Sequence, residues 1–381
     1  MYKQLTVGAS QDDTIFVTSL VPLRVVDNIT NEVVWQNPAC SSTRYCRPIR
    51  LQYVKESVDI SKNEEKYISD QINSLAKFEC EFGTINFILQ LTMIDGKVCN
   101  AITESSSMAC YVCGAKISQM NDLALMRTKI DDQSAYRYGL STLHAYIRFF
   151  ECLLHISYRM DFKVWKASKK DGKDILLKQK KLKIQNEFRS RLGLLVDMPK
   201  QGFGSSNDGN TARRFFKNYK ISAEITGVSE DLIYHFYVIL QCLSSGENIN
   251  IDKFEVYCWE TAKLYTNLYS WYYMPPSVHK ILIHGSSIIK SFVLPIGILS
   301  EEAQESRNKD IKRYRESYSR KSSRININTD IFQRLLLSSD PLISSFRKVD
   351  KHNIKKLLPE VEDLLLDINY CSDGEPEYIS E

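Results

Sequence analysis

A chain of 381 residues, 43% hydrophobic and 25% charged, has the composition of an ordinary globular protein and can build two compact units or one core with a large insertion. Its net charge of +4 excludes affinity for nucleic acid through overall charge and leaves that role to local basic patches. No apolar run reaches the ~20 residues of a membrane span, residues 1–14 hold no apolar segment of signal-peptide type, and the ten cysteines are too scattered for a disulfide framework, so no membrane contact and a reducing compartment are expected.

In chain order, residues 14–26 (TIFVTSLVPLRVV) predict a strand interrupted near Pro22. A break at 27–31 and a short run at 32–36 predict a hairpin, and CRPIRLQYV (46–54) a further extended segment. Ser61 is read as the cap of a helix reaching about Phe78, with Tyr67, Ile68, Ile72 and Leu75 at helical spacing and Glu64 and Glu65 as first-turn acids. INFILQLTMID (85–95) reads as the most deeply buried strand, ending on Asp95 and Gly96. Strands, helix and buried strand in this order are an α/β pattern with one carboxylate at a strand end. Beyond Gly96 the pattern is helical almost throughout. LHAYIRFFECLLHISYRM (143–160) is a core helix, residues 163–183 carry nine lysines, and 199–210 (PKQGFGSSNDGN) form a glycine-containing loop. Helices are expected at 228–243 and 252–270, a histidine-bearing helix begins at Pro275 and Pro276, and the last long helix spans 300–320. The acidic tail after Tyr370 is expected to be disordered.

The stretch 277–309 concentrates the chemistry. His279 and His284 enclose four residues, a spacing usual for paired zinc histidines, and Cys110-x-x-Cys113 supplies the two thiols that complete a closed tetrahedral Cys2His2 set. The long separation of the pairs excludes a small finger, so a metal here would staple a distant helix to a loop. Two buried thiols and two ordinary histidines are the alternative. His144, His155, His235 and His352 lack a partner at ligand spacing and are assigned to core or surface roles. Glu301, Glu302 and Glu305 open a helix, where acids suit the positive N-terminus; one of them facing Asp95 would instead make a Mg2+ site for phosphoryl transfer. Nothing local chooses among the three. Arg213 and Arg214 follow the glycine loop, and Lys309, Lys312, Arg313, Arg315, Arg320 and Lys321 follow the acids, as expected beside a site that takes a polyanionic substrate.

These segments resemble the catalytic core of Transib DNA transposases and of the related recombination-activating (V(D)J) recombinase. HKILIH (279–284) and PIGILSEEAQESRNK (295–309) are similar to that family's zinc-histidine helix and final catalytic helix, and MIDGKV (93–98) with CYVC (110–113) to its second catalytic aspartate and zinc cysteines. SSNDGNTARRFF (205–216) and residues 139–160 are also similar to family segments, and the likeness runs in order from about residue 1 to about 345. The resemblance implies an RNase H-like α/β fold split by a large helical, zinc-binding insertion. Residues 1–95 would be the first part of the core, 96–294 the insertion, 295–345 the final catalytic helix with further core helices, and 346–381 a C-terminal helix and tail. It further implies Asp95 and Glu305 as catalytic ligands of Mg2+ or Mn2+, and Cys110, Cys113, His279 and His284 as ligands of a structural Zn2+. Arg213 and Arg214 match a DNA-contacting basic pair, and Lys309, Lys312 and Arg313 would add to that surface. Double-stranded DNA, a homodimer and the nucleus follow from the resemblance alone. At one point the sequence departs from the family. The first acid of the Asp-Asp-Glu triad precedes a Tyr-Lys-Gln-like step, which here is Tyr2-Lys3-Gln4, and Asp12 and Asp13 fall after the expected position. The expectation is therefore a transposase-derived DNA-binding protein with two of three catalytic acids and an incomplete first strand. The alternative is a non-catalytic, zinc-scaffolded module that binds DNA or protein.

Overall fold

The computed structural model describes residues 15–81, 83–90, 96–166, 172–199, 205–299, 302–347 and 357–366. The described chain begins with β1 (Phe16–Leu20), which pairs antiparallel with β4 (Arg47–Gln52), Phe16 opposite Gln52, with a bulge between Thr18 and Ser19. Between them β2 (Arg24–Val26) and β3 (Val33–Gln36) form the expected hairpin. Its turn is built by Asp27, whose Oδ1 accepts from the backbone N–H groups of Ile29 and Thr30 at 2.7 and 2.9 Å, while Asn31 takes up φ 59°. Pro22 breaks the first strand as anticipated, and its carbonyl accepts from Asn37 Nδ2 at 2.8 Å.

Helix α1 (Val58–Asn73) starts and ends earlier than the sequence pattern suggests. The cap is Ser57, which accepts from the Ile60 N–H at 3.3 Å; Ser61 is a buried helical residue and Phe78 belongs to the next strand. Glu64 is a buried clamp rather than a first-turn acid, accepting from Thr18 at 2.6 Å, Arg50 at 3.0 Å and Gln52 at 3.1 Å. These bonds dock α1 on the β1–β4 ribbon and satisfy a carboxylate that would be costly to bury alone.

β5 (Phe78–Cys80) and β6 (Gly83–Ile85) make a short hairpin. The buried strand expected at 85–95 does not form in its described part: residues 86–90 carry no strand, and Phe87 and Ile88 are 49% and 93% exposed. An apolar run is buried as a strand only where neighbours flank it, and none pairs with 86–90 among the described residues. Residues 91–95 lie outside the described chain. The fold is thus mixed α/β and mostly helical, its described strands forming three two-stranded antiparallel ribbons.

The largest core belongs to helices α2 (Gly96–Ile102), α3 (Leu123–Thr128), α4 (Thr142–Arg159), α5 (Lys173–Leu192), α6 (Gly209–Lys217), α7 (Tyr219–Thr226), α8 (Glu230–Ser244), α9 (Ile251–Tyr269) and α10 (Pro276–Lys290). Helix α4 is central, as its wide apolar face requires. Phe149 packs edge-on to Phe236 of α8 at 4.5 Å, and Phe150 against Phe215 of α6 at 4.8 Å. The lysine-rich α5 buries Ile184 and Phe188 fully and packs Leu177 and Leu192 partly against the core, and its Lys180 pairs with Asp161 at 3.0 Å.

After α10 the chain returns to the strands. Helices α11 (Glu302–Ser317) and α12 (Arg324–Ser338) bury Ile311, Ile327, Ile331 and Leu335 with Val17 of β1 and Leu51 of β4. Helix α12, capped by Ser323, corrects the expectation that α11 is the last long helix. The short α13 (Pro341–Ser345) follows. Finally α14 (Pro359–Leu364) docks on the α8–α9 connection, where the Asn250 N–H donates to Leu364 O at 2.9 Å. The tail beyond Tyr370 lies outside the described residues.

Candidate metal centre

Cys110 and Cys113 lie on a tight loop whose ends are bridged at Ala109 and Lys116. The Cys110 N–H donates to Ala115 O at 2.9 Å, and the Gly114 N–H to Cys110 O at 2.8 Å. Gly114 has φ 66°, a left-handed conformation that glycine adopts at little cost, so the Cys-x-x-Cys-Gly run is shaped by its last residue as well as by its thiols. The histidines stand on α10, whose first turn is opened by Pro276 at a position needing no N–H partner. Positions five apart are about 140° apart around a helix, so the rings do not stack. They meet at 74° with centroids 5.1 Å apart.

The four side chains converge. One ligand atom from each of Cys110, Cys113, His279 and His284 lies within 4.8 Å of the others, and all four residues are buried. His279 Nε2 is 3.5 Å from Cys113 Sγ and 3.2 Å from His284 Nε2. Two thiols and two imidazole nitrogens facing one point, shut off from water, form a group that could hold a metal ion.

The four donors differ electrostatically. Hydrogen bonding by Cys113 pulls the Cys110 thiol down to about 7, with burial opposing, and the same contact pushes Cys113 up. Burial lowers His279, keeping it neutral and ligand-competent. At His284 burial also disfavours charge, but hydrogen bonds to Asp131 and Cys113 prevail and raise it to about 9. Its Nδ1 lies 2.9 Å from Asp131 Oδ2, which leaves Nε2 turned toward the thiols. Lys280, next along α10, donates to Tyr111 Oη at 2.7 Å and ties helix and loop together beside the cysteines. Asp131 and His284 also line a cleft of about 680 Å3 with Arg127, Trp259, Glu260 and Lys263.

The other predicted site residues are placed more simply. Asp95 and Glu301 lie outside the described residues; Glu305 is on α11, but its side chain, like that of Glu302, is outside what is described. Arg213 and Arg214 stand on α6, Arg213 over the Tyr146 ring at 5.4 Å and Arg214 donating to Leu192 O at 2.6 Å, where it caps the end of α5. Lys309, Lys312 and Arg313 are exposed, and their spacing puts them on one face of α11, one turn beyond position 305. Arg315 is buried beside Tyr53, and Arg320 pairs with Asp330 at 2.8 Å, so neither belongs to that face. His144, His155 and His235 are partly buried side chains away from the quartet, His235 meeting Thr261 Oγ1 at 3.0 Å; His352 is outside the described residues. Sequence reasoning passed over Asp131, Lys280 and Tyr111, because contacts formed across more than a hundred residues leave no local spacing. Comparison with known protein families and with curated protein sequences finds no match.

Proposed function

We propose that this chain is a zinc-stapled DNA-binding protein of the DDE-transposase type. The observation that carries the reading is the convergence of Cys110 and Cys113 with His279 and His284, since Cys113 and His279 are 166 positions apart. Zinc is the ion the donors favour. Its usual bonds to nitrogen and sulfur imply tetrahedral edges of about 3.3 Å between nitrogens and about 3.6 Å between nitrogen and sulfur, and the contacts here are 3.2 and 3.5 Å. With four protein donors the ion keeps no open position, so its role is structural: it locks the cysteine loop to α10.

Two further features support the reading. Helices α11 and α12 pack on β1 and β4 across the whole intervening helical body, the chain order that a split RNase H-like core implies. The face of Lys309, Lys312 and Arg313 beside position 305 suits a phosphate backbone, with Arg213 and Arg214 as a second basic pair. The DNA is double-stranded, the setting nuclear and the assembly a homodimer in this reading. Asp95 and Glu305 are the two acids that would bind Mg2+ or Mn2+, which when bound activates oxygens for phosphoryl transfer. Binding of the duplex through these basic faces is the proposed activity.

The test has two arms. Purified protein is expected to carry about one zinc per chain and to bind duplex DNA with an affinity that falls steeply with salt. Charge reversal at Lys309 and Lys312 should weaken that binding. A metal-free protein with full helix content, or DNA binding indifferent to both salt and charge reversal, overturns the reading. A Mn2+ nicking assay with Glu305→Gln tests the acids separately: clear Glu305-dependent nicking would make the chain a nuclease.

A further inference from the structure

Behind the metal-facing atoms the two histidines differ. His284 Nδ1 lies 2.9 Å from Asp131 Oδ2, and the same oxygen accepts from Tyr136 Oη at 2.7 Å. Tyr136 belongs to the 3-10 turn Gln133–Tyr138, whose cap Asp132 donates its backbone N–H to Val112 O at 2.7 Å, between the two cysteines. The segment that carries Asp131 is therefore fastened to the cysteine loop and, through Asp131, to α10. His279 Nδ1, in contrast, is buried with no hydrogen-bond partner among the described residues.

We propose that Asp131, braced by Tyr136, is a positioning residue of the metal centre. By accepting the Nδ1 proton of His284 it holds the ring in the one tautomer whose Nε2 lone pair points at the thiols, and the adjacent negative charge makes that nitrogen a stronger donor. His279 has no such support, so most of the orientation on the histidine side of the centre rests on Asp131. Its identity as an acid follows: an apolar residue leaves the Nδ1–H of a buried ring without a partner, and asparagine keeps an acceptor without the charge. This inference rests on the quartet holding a metal.

The experiment is a competitive chelator titration of Zn2+ on the full chain, with Co2+ substitution to record ligand-field bands, for wild type, Asp131→Ala, Asp131→Asn and Tyr136→Phe. Helix content and denaturant stability of each chelator-stripped protein are measured in parallel. Asp131→Ala is expected to weaken zinc binding about 10–100-fold and to shift the Co2+ bands, with the stripped protein as stable as stripped wild type. Asp131→Asn should recover part of the loss, and Tyr136→Phe should show a smaller loss in the same direction. If Asp131→Ala does not fold, the Asn and Phe variants carry the test. Zinc affinity and Co2+ spectra equal to wild type in the folded variants overturn the inference while leaving the metal reading intact. So does a loss of affinity matched by an equal loss of stability in the stripped protein, which would make Asp131 a residue of the fold. Wild type that takes up no Zn2+ or Co2+ fails the metal reading itself.

Discussion

Arg307 shows how much one buried charge can organise. It is 2% exposed, and its guanidinium donates to Cys46 O at 3.3 Å, to Thr43 O, to Ser338 Oγ at 2.7 Å and to Asp310 Oδ2 at 3.2 Å. One side chain two residues beyond Glu305 thus fixes α11 against both the turn before β4 and the end of α12. Removing it strands two carbonyls and an aspartate, so Arg307→Ala should cost about 3–5 kcal/mol by urea denaturation. Arg307→Lys should recover little, because an ammonium cannot reproduce the fork. His155 and His235 carry a pH prediction. Burial holds both below the ordinary value of 6.5, so the unfolded chain takes up protons first as pH falls. Their contribution is present above 6.5 and is lost as pH drops through it toward the folded values. Denaturation midpoints should therefore decline below that pH, and His155→Gln should flatten the decline.

Among the elements, the connection from α10 to α11 sets where the histidines stand relative to position 305. Gly297 lies in it, and a Cβ there would come within 2.6 Å of Gly246 N and 2.9 Å of Leu243 O, both backbone atoms that cannot move aside. Gly297→Ala should cost about 1–3 kcal/mol and raise hydrogen exchange in α11, with zinc content unchanged. Helices α4, α9 and α10 were readable to within a few residues because their apolar periodicity is local, whereas α12 was not, although Ile327, Ile331 and Leu335 lie along one face of it. Residues 86–90 differ from the expected buried strand, since an apolar run becomes one only if other strands come to flank it. The start of α1 was misjudged for a smaller reason: Ser57 and Ser61 are both chemically fit to cap, and Glu64 prefers the sheet to the helix end.

At the scale of the molecule, one chain threads the helical body around α4, the smaller cluster where α11 and α12 meet β1 and β4, and a third around Cys40, Leu294 and Leu299. A metal that binds only the folded chain adds stability by mass action, about 4 kcal/mol at a thousandfold excess over Kd. Chelation should accordingly lower the unfolding midpoint and expose the cysteine loop to alkylation, with α11 and α12 affected less. If DNA lies along α11, each of Lys309→Ala and Lys312→Ala should reduce the slope of log affinity against log salt by about 1, without altering zinc content.

The sequence by itself determined the ingredients: the Cys-x-x-Cys-Gly loop, the histidine pair behind its double proline, the broken first strand, the core helix and the basic turns after Glu305. Each is a local pattern of spacing, capping or backbone restriction. Only the tertiary structure decided that the four ligands meet at one buried point, that Asp131 stands behind His284, and that Arg307 and Glu64 are interior clamps rather than surface charges. Such contacts join segments that approach only when separate apolar faces are buried together, so nothing in the neighbouring residues announces them.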